Sequence, residues 1–201
     1  INRIRYHYFR DIINRINDLE TGIRVLINSP SYVHSEEIGF NGQVGRKQIF
    51  KDLLREFRFF QIIETGTYLG DTTGYMAKTA GIPVFSCEKN NLLHDLSKMR
   101  LKDIASVYLF KKDSREFLLK LSENYQITKN ECFIYLDAHW GKDLPLREEI
   151  SIVASRWERF IIMIDDFEVP SDKGYIHDSY GTLEYINMRG LRSQYDLCLF
   201  S

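Results

Sequence analysis

Cysteine is scarce in this chain, and several familiar motifs are missing. There are three cysteines, Cys87, Cys132 and Cys198, each inside an apolar, strand-like run. An odd number without close spacing argues against a disulfide framework and against a zinc site, so buried thiols in a reducing cytoplasm are expected. No apolar run approaches the ~20 residues a membrane helix needs, and no signal or transit segment is visible. The balance of 27 Lys plus Arg against 28 Asp plus Glu leaves a net charge of -1, with no like-charge block. That excludes a global basic field for nucleic acid and an acidic or basic tail. Internal repeats and low-complexity segments are also absent. No Gly-x-Ser-x-Gly occurs, so nothing marks a serine nucleophile. What remains is a soluble composition, 44% hydrophobic and 27% charged over 201 residues, which fits one domain with a substantial core.

The chain opens with an amphipathic pattern over residues 3–27, where Ile4, Tyr8, Ile12, Ile16, Leu19, Ile23 and Leu26 recur at steps of three or four. Residues 28–45 lack periodicity and carry turn formers, which suits a lid or a plain connection. A second amphipathic helix follows, with Ile49, Phe50, Leu53, Leu54 and Phe57 on one side. From there strands and helices alternate. Apolar strands are expected at 62–64, 83–88, 107–110, 132–137 and 160–166, with helices at 72–80, 91–102, 115–123 and 146–157, the third capped by Ser114. A polar loop at 170–181, a short helix at 183–189 and a sixth strand from Tyr195 complete the reading. Short, nearly continuous apolar strands between helices predict an α/β fold, a doubly wound and mostly parallel sheet covered on both faces. The expected division is an N-terminal helix and lid, 1–45, ahead of a Rossmann-like domain, 46–201.

The chain is organised around Ile62-Ile63-Glu64-Thr65-Gly66-Thr67-Tyr68-Leu69-Gly70-Asp71-Thr72-Thr73. This reads as a buried strand, a glycine-bearing turn and a helix N-terminus, which is a ligand cradle at the carboxyl edge of an open sheet. Acids recur at that edge: Glu64, Glu88, Asp137 and the pair Asp165-Asp166 close four of the five strands. Glu88 follows Gly66 by 22 residues, a spacing suited to accepting hydrogen bonds from ribose hydroxyls. Its alternative is an acid favoured by the dipole of the next helix. Asp113-Ser114, one strand further out, is placed to border an adenine ring.

The nature of the nucleoside ligand follows from two departures. Tyr68 stands where a dinucleotide fingerprint has its second glycine, and Gly70-Asp71-Thr72 lacks the lysine of a P-loop. Glu64 beside the cradle suits a ligand bearing an amino group and positive charge. Glu64-Thr65-Gly66-Thr67-Tyr68-Leu69-Gly70 resembles motif I of the class I S-adenosylmethionine-dependent methyltransferases, over about residues 46–200. The resemblance implies a cofactor held by Glu64, Gly66, Thr67, Tyr68, Gly70, Thr72, Glu88, Asp113, Ser114 and Asp137. It also implies an antiparallel closing hairpin. Only the first of its two strands is in view, so the second is expected to be trimmed, missing or supplied by a partner.

Asp165 and Asp166 follow Asp137 by 28 and 29 residues, on what should be a neighbouring strand. Three uncompensated carboxylates that close repel, and a hard divalent cation such as Mg²⁺ would resolve the repulsion. The spacing is similar to that of metal-dependent O-methyltransferases, both the catechol type and the bacterial enzymes that methylate macrolide and aminocoumarin sugars. In the alternative, Asp137 borders the cofactor's methionine and Asp165-Asp166 cap the next loop. In Asp137-Ala138-His139-Trp140-Gly141-Lys142, His139 is the first candidate base and Lys142 the second, with a base elsewhere as a third option. Trp140 could wall an acceptor pocket or belong to the core. His177 and Asp178 are candidates for the acceptor side, a solvated loop histidine being the more frequent case.

Together these features lead to the expectation of a cytoplasmic enzyme, alone or as a homo-oligomer, methylating a hydroxyl on a small acceptor. A cephalosporin hydroxylase-like enzyme on the same scaffold and a non-catalytic binding module are the alternatives.

Overall fold

In a computed structural model, the residues described are 38–138 and 144–165, together with Ile16 and Leu19. The predicted helix over 3–27 lies outside them apart from those two helical, exposed residues. The loop at 170–181, the helix at 183–189 and the sixth strand lie outside them entirely.

Among the described residues, five strands form one parallel sheet in the order β3-β2-β1-β4-β5, built from β1 Gln61–Thr65, β2 Val84–Cys87, β3 Val107–Phe110, β4 Cys132–Leu136 and β5 Phe160–Ile164. All four pairings are parallel. The sequence expectation of a doubly wound sheet holds. Its reversal point falls between β1 and β4, where such sheets place ligands. Both central strands are buried along their whole length, whereas the outer β3 exposes Tyr108.

Alternation along the strands sorts the core into two layers. Ile62, Val84, Phe133 and Tyr135 face α1 (Val44–Glu56) and α2 (Asp71–Ala80), where Phe50, Leu53 and Met76 meet them. On the other face, Ile63, Cys87, Ile134 and Leu136 pack on α4 (Ser114–Ser122), α5 (Tyr125–Lys129) and α6 (Leu146–Arg156). The remaining helix, α3 (Asn91–Arg100), is capped by the Asn90 side chain, which accepts from the amides of Leu92 and Leu93.

Two local expectations need correction, and one helix was missed. The cap of α4 is Asp113, whose carboxylate accepts from the Arg115 amide, so Ser114 is the first helical residue and not the cap. Phe57 is not on the inner side of α1. The chain has already become extended there, and the ring is 41% exposed. The five-residue helix α5 was not anticipated, because a turn that short has too little periodicity to read.

The segment ahead of α1 contributes to the core. Phe40, in a 3₁₀ turn at Phe40–Gly42, is fully buried, with its ring centroid 5.7 Å from Tyr75 and 5.1 Å from Tyr135 in edge-on contacts. Its amide donates to Thr72 Oγ1 at 3.0 Å, fastening the incoming chain to the first turn of α2. Phe40→Ala should therefore cost about 3–5 kcal/mol of unfolding free energy, and Phe40→Leu clearly less, in urea denaturation read by tryptophan fluorescence. Equal, near-zero effects would show that this segment packs only loosely.

Candidate active site at the carboxyl edge of the sheet

The turn after β1 is shaped by backbone contacts. Gly66 has a φ of 85°, and a Cβ built there would lie 2.2 Å from the Asp137 carbonyl oxygen. Only glycine therefore lets the ends of β1 and β4 approach this closely. The Gly66 and Thr67 amides both donate to the Cys87 carbonyl, at 3.0 and 2.9 Å, which ties the turn to β2. Gly70, with φ 81°, is the N-cap of α2, and a Cβ there would meet Leu101 at 2.6 Å. Each glycine thus has a packing reason of its own. Between them, Tyr68 takes a left-handed φ of 49° with its side chain 39% exposed. Arg100 closes the far side, with its two terminal nitrogens 3.2 and 2.6 Å from the Asp71 carboxylate.

Glu64 sits in the floor of this turn and is 1% exposed. Its Oε2 accepts from the Thr73 hydroxyl and, at 2.6 Å, from the Ser86 hydroxyl. The other oxygen, Oε1, is buried without a hydrogen-bond partner. Burial lifts the carboxyl to a pKa of about 7, the two hydroxyls opposing the rise and nearby Glu88 adding to it. Ser86 also lies 2.6 Å from Thr67 Oγ1, so one chain of hydroxyls joins the floor to the turn.

Glu88 lies just past β2, as the sequence implied, and its carboxylate spans two backbone donors. Oε2 accepts from the Tyr68 amide at 2.9 Å and Oε1 from Asn90 at 2.8 Å. The acid therefore braces the turn as well as facing the edge, and burial raises its pKa. Asp113 is more fully committed. Arg115 grips it through two side-chain nitrogens at 2.9 Å each, Lys89 lies 3.1 Å away, and these partners hold its carboxyl far below the usual range. Thr72 is engaged with Phe40, as described above.

Two functional-looking residues have no signal in the sequence. Glu149, in the first turn of α6, is 1% exposed and lifted to a pKa of about 7 by burial, against hydrogen bonds from Ser114 and Thr65. In sequence it reads as an ordinary helix-start acid. Arg46 of α1 reaches across to form an ion pair with Asp165, which is 1% exposed. Asp165 donates its own amide to the Leu136 carbonyl at 3.0 Å, so β5 and β4 end side by side as expected. Asp137 stands next to them, its amide donating to the Thr65 carbonyl at 3.0 Å. Asp166, His139, Trp140, Lys142, His177 and Asp178 lie outside the described residues. Among the described residues no three His, Cys, Asp or Glu side chains gather as a metal-binding group. Cys87 and Cys132 are buried, and burial raises both thiols, Cys87 well above its ordinary value, which leaves them poor nucleophiles.

Two carboxyls that ionise only near pH 7 when folded bind more protons than they do unfolded. Stability should therefore be full below the unfolded value near 4.5 and fall as pH rises through 7, by on the order of 1–3 kcal/mol per group. Thermal melts from pH 5 to 8 should show this decline. Glu64→Gln and Glu149→Gln should each flatten it, since an amide mimics the neutral acid.

No family model matches the chain, and no curated protein does. Solved structures match. The O-methyltransferase TomG from Streptomyces achromogenes, involved in tomaymycin synthesis and solved with S-adenosylmethionine, superposes with a TM-score of 0.52 at 14% identity, over 62% of this chain and 56% of TomG. A putative O-methyltransferase from Klebsiella pneumoniae aligns at 20% identity and TM-score 0.48, over 58% of this chain and 52% of that one. The Bacillus cereus O-methyltransferase in complex with S-adenosylhomocysteine aligns at 16% and 0.49, over 71% and 62%. The chain thus spans little more than half the length of these structures. The TomG superposition, with the parallel 3-2-1-4-5 order, shows that the chain has a Rossmann-like α/β fold.

Proposed function

We propose that this chain is an S-adenosylmethionine-dependent O-methyltransferase acting on a hydroxyl of a small molecule. The observation that carries the reading is the cradle itself. Glu64 and Glu88 end adjacent strands on either side of one turn, and Glu64 presents a buried oxygen with no partner. An orphaned carboxyl oxygen buried in the floor of this turn is costly, and a ligand ammonium would satisfy it. The residues fit this cofactor. Glu64 would take its amino end, Gly66, Thr67, Tyr68 and Gly70 the backbone wall, and Glu88 the ribose hydroxyls. Since the Asp113 carboxylate is held by Arg115 and Lys89, and Ser114 is buried beside Glu149, these two would border the adenine mainly by position.

When bound, the cofactor supplies an electrophilic sulfonium methyl. The acceptor oxygen would form the new bond to carbon as the sulfur–carbon bond breaks, and its proton would pass to a base. His139 is proposed as that base, with Lys142 as its competitor, two and five residues after Asp137 in the chain. The divalent ion implied by the three aspartates fits less well. Asp165 is already compensated by Arg46, so no step is routed through a metal. The resemblance of motif I supports the cofactor, and the like fold of the O-methyltransferase TomG supports transfer to oxygen. A cytoplasmic location is proposed with it, and no helix among the described residues is long and apolar enough to cross a membrane.

Isothermal titration with S-adenosylhomocysteine tests the reading. Saturable binding is expected, weakened at least about tenfold by Glu88→Ala, as loss of a charge-assisted hydrogen bond implies. Absence of heat at millimolar ligand would remove the basis for the proposal.

A further inference from the structure

The three-aspartate reading assumes carboxylates without internal compensation. For Asp165 that assumption fails. The Arg46 side chain is 11% exposed and the Asp165 side chain 1%, and the two are in direct ionic contact. A guanidinium remains charged at any pH the fold survives, so its compensation is permanent. The contact is also anchored from both sides. Arg46 sits in the first turn of α1, which is locked to the sheet by Phe50 against Phe133, ring centroids 5.1 Å apart. Asp165 is fixed by the hydrogen bond that its backbone amide donates to the Leu136 carbonyl at 3.0 Å. A divalent ion seated on Asp165 would have to displace the guanidinium, stranding a nearly buried charge, or sit beside it against like-charge repulsion.

We propose that Arg46 is a built-in cation at the carboxyl end of β5: its guanidinium fills the charge-compensating place beside Asp165 that a divalent ion would take, so Asp165 is an internal ion-pair partner and not a metal ligand. Arg46 is then a positioning residue. It ties α1 to the strand-edge acids next to Asp137 and sets the local charge without solvent ions. The inference rests on the proposed reading only in treating this edge as the site, and its test reads the ion directly.

The test is a titration of the full chain with Mn²⁺, following ¹H–¹⁵N amide signals and the free-ion electron paramagnetic resonance signal. The Asp165 amide should stay sharp when the ion is present in excess. Selective broadening of that amide, with stoichiometric uptake of the ion, would overturn the proposal. In Arg46→Gln the place is vacated, so Mn²⁺ should now broaden Asp165 and raise a Tm lowered by the substitution. Arg46→Lys, which keeps a charge there, should remain insensitive. A folded Arg46→Gln that ignores Mn²⁺ would overturn the idea that guanidinium and ion compete for one place. Should Arg46→Gln fail to fold, the wild-type amide result decides alone. Calorimetry with S-adenosylhomocysteine is independent of all these outcomes, so failure of the cofactor reading and failure of this one are distinguishable.

Discussion

The closest constraint in this molecule is the approach of two parallel strand ends. The Asp137 carbonyl oxygen lies where a Gly66 side chain would begin, and the Asp137 amide donates back to Thr65. This contact makes the turn after β1 and the departure from β4 a single backbone unit. Other features of the edge attach to it. The Gly66 and Thr67 amides bond to β2, the Tyr68 amide to Glu88, and Thr65 reaches Glu149 beneath. Moving any one of these groups would disturb a chain of paired backbone donors, and unpaired buried donors are costly. The rigidity of the cradle is thus a result of main-chain accounting more than of side-chain bulk.

Around that unit the acids do different work despite similar positions. Glu64 is buried among hydroxyls and Glu149 beneath Thr65 and Ser114, and both are held near the neutral form by lack of water. Asp113 keeps its charge, because Arg115 and Lys89 contact it, and Asp165 is paired with Arg46. Glu88 falls between, stabilised by two amides yet partly desolvated. Four strand ends carrying acids therefore do not make a uniformly negative edge. Neighbouring donors decide in each case whether the carboxyl carries charge, as the physics of desolvation and pairing requires.

Much of the fold was readable because parallel strands buried on both faces leave short apolar runs. The five runs at 62–64, 83–88, 107–110, 132–137 and 160–166 each correspond to an observed strand. The cradle was readable for a related reason: a positive-φ turn needs glycine, so Gly66 and Gly70 mark it in the sequence. What sequence could not show were partners brought together by folding from far apart. Arg46 and Asp165 are separated by most of the domain, and no spacing rule links them. Glu149 looked like any acid in a first helical turn. Phe40 sat in a stretch without periodicity, where one aromatic anchor leaves no pattern. Asp113 and Ser114 differ by a single position, and cap geometry alone tells which of them starts the helix.

The neutral tendency of Glu64 has a consequence for recognition. A buried carboxyl that titrates near pH 7 holds its proton for part of the time when the turn is empty. A cationic group arriving at its free oxygen would favour the ionised form and expel that proton. Capture of a positively charged ligand here would therefore exchange one cation for another, with an affinity expected to rise with pH through neutrality. A floor of this kind would discriminate by charge without maintaining a permanent negative charge inside the protein.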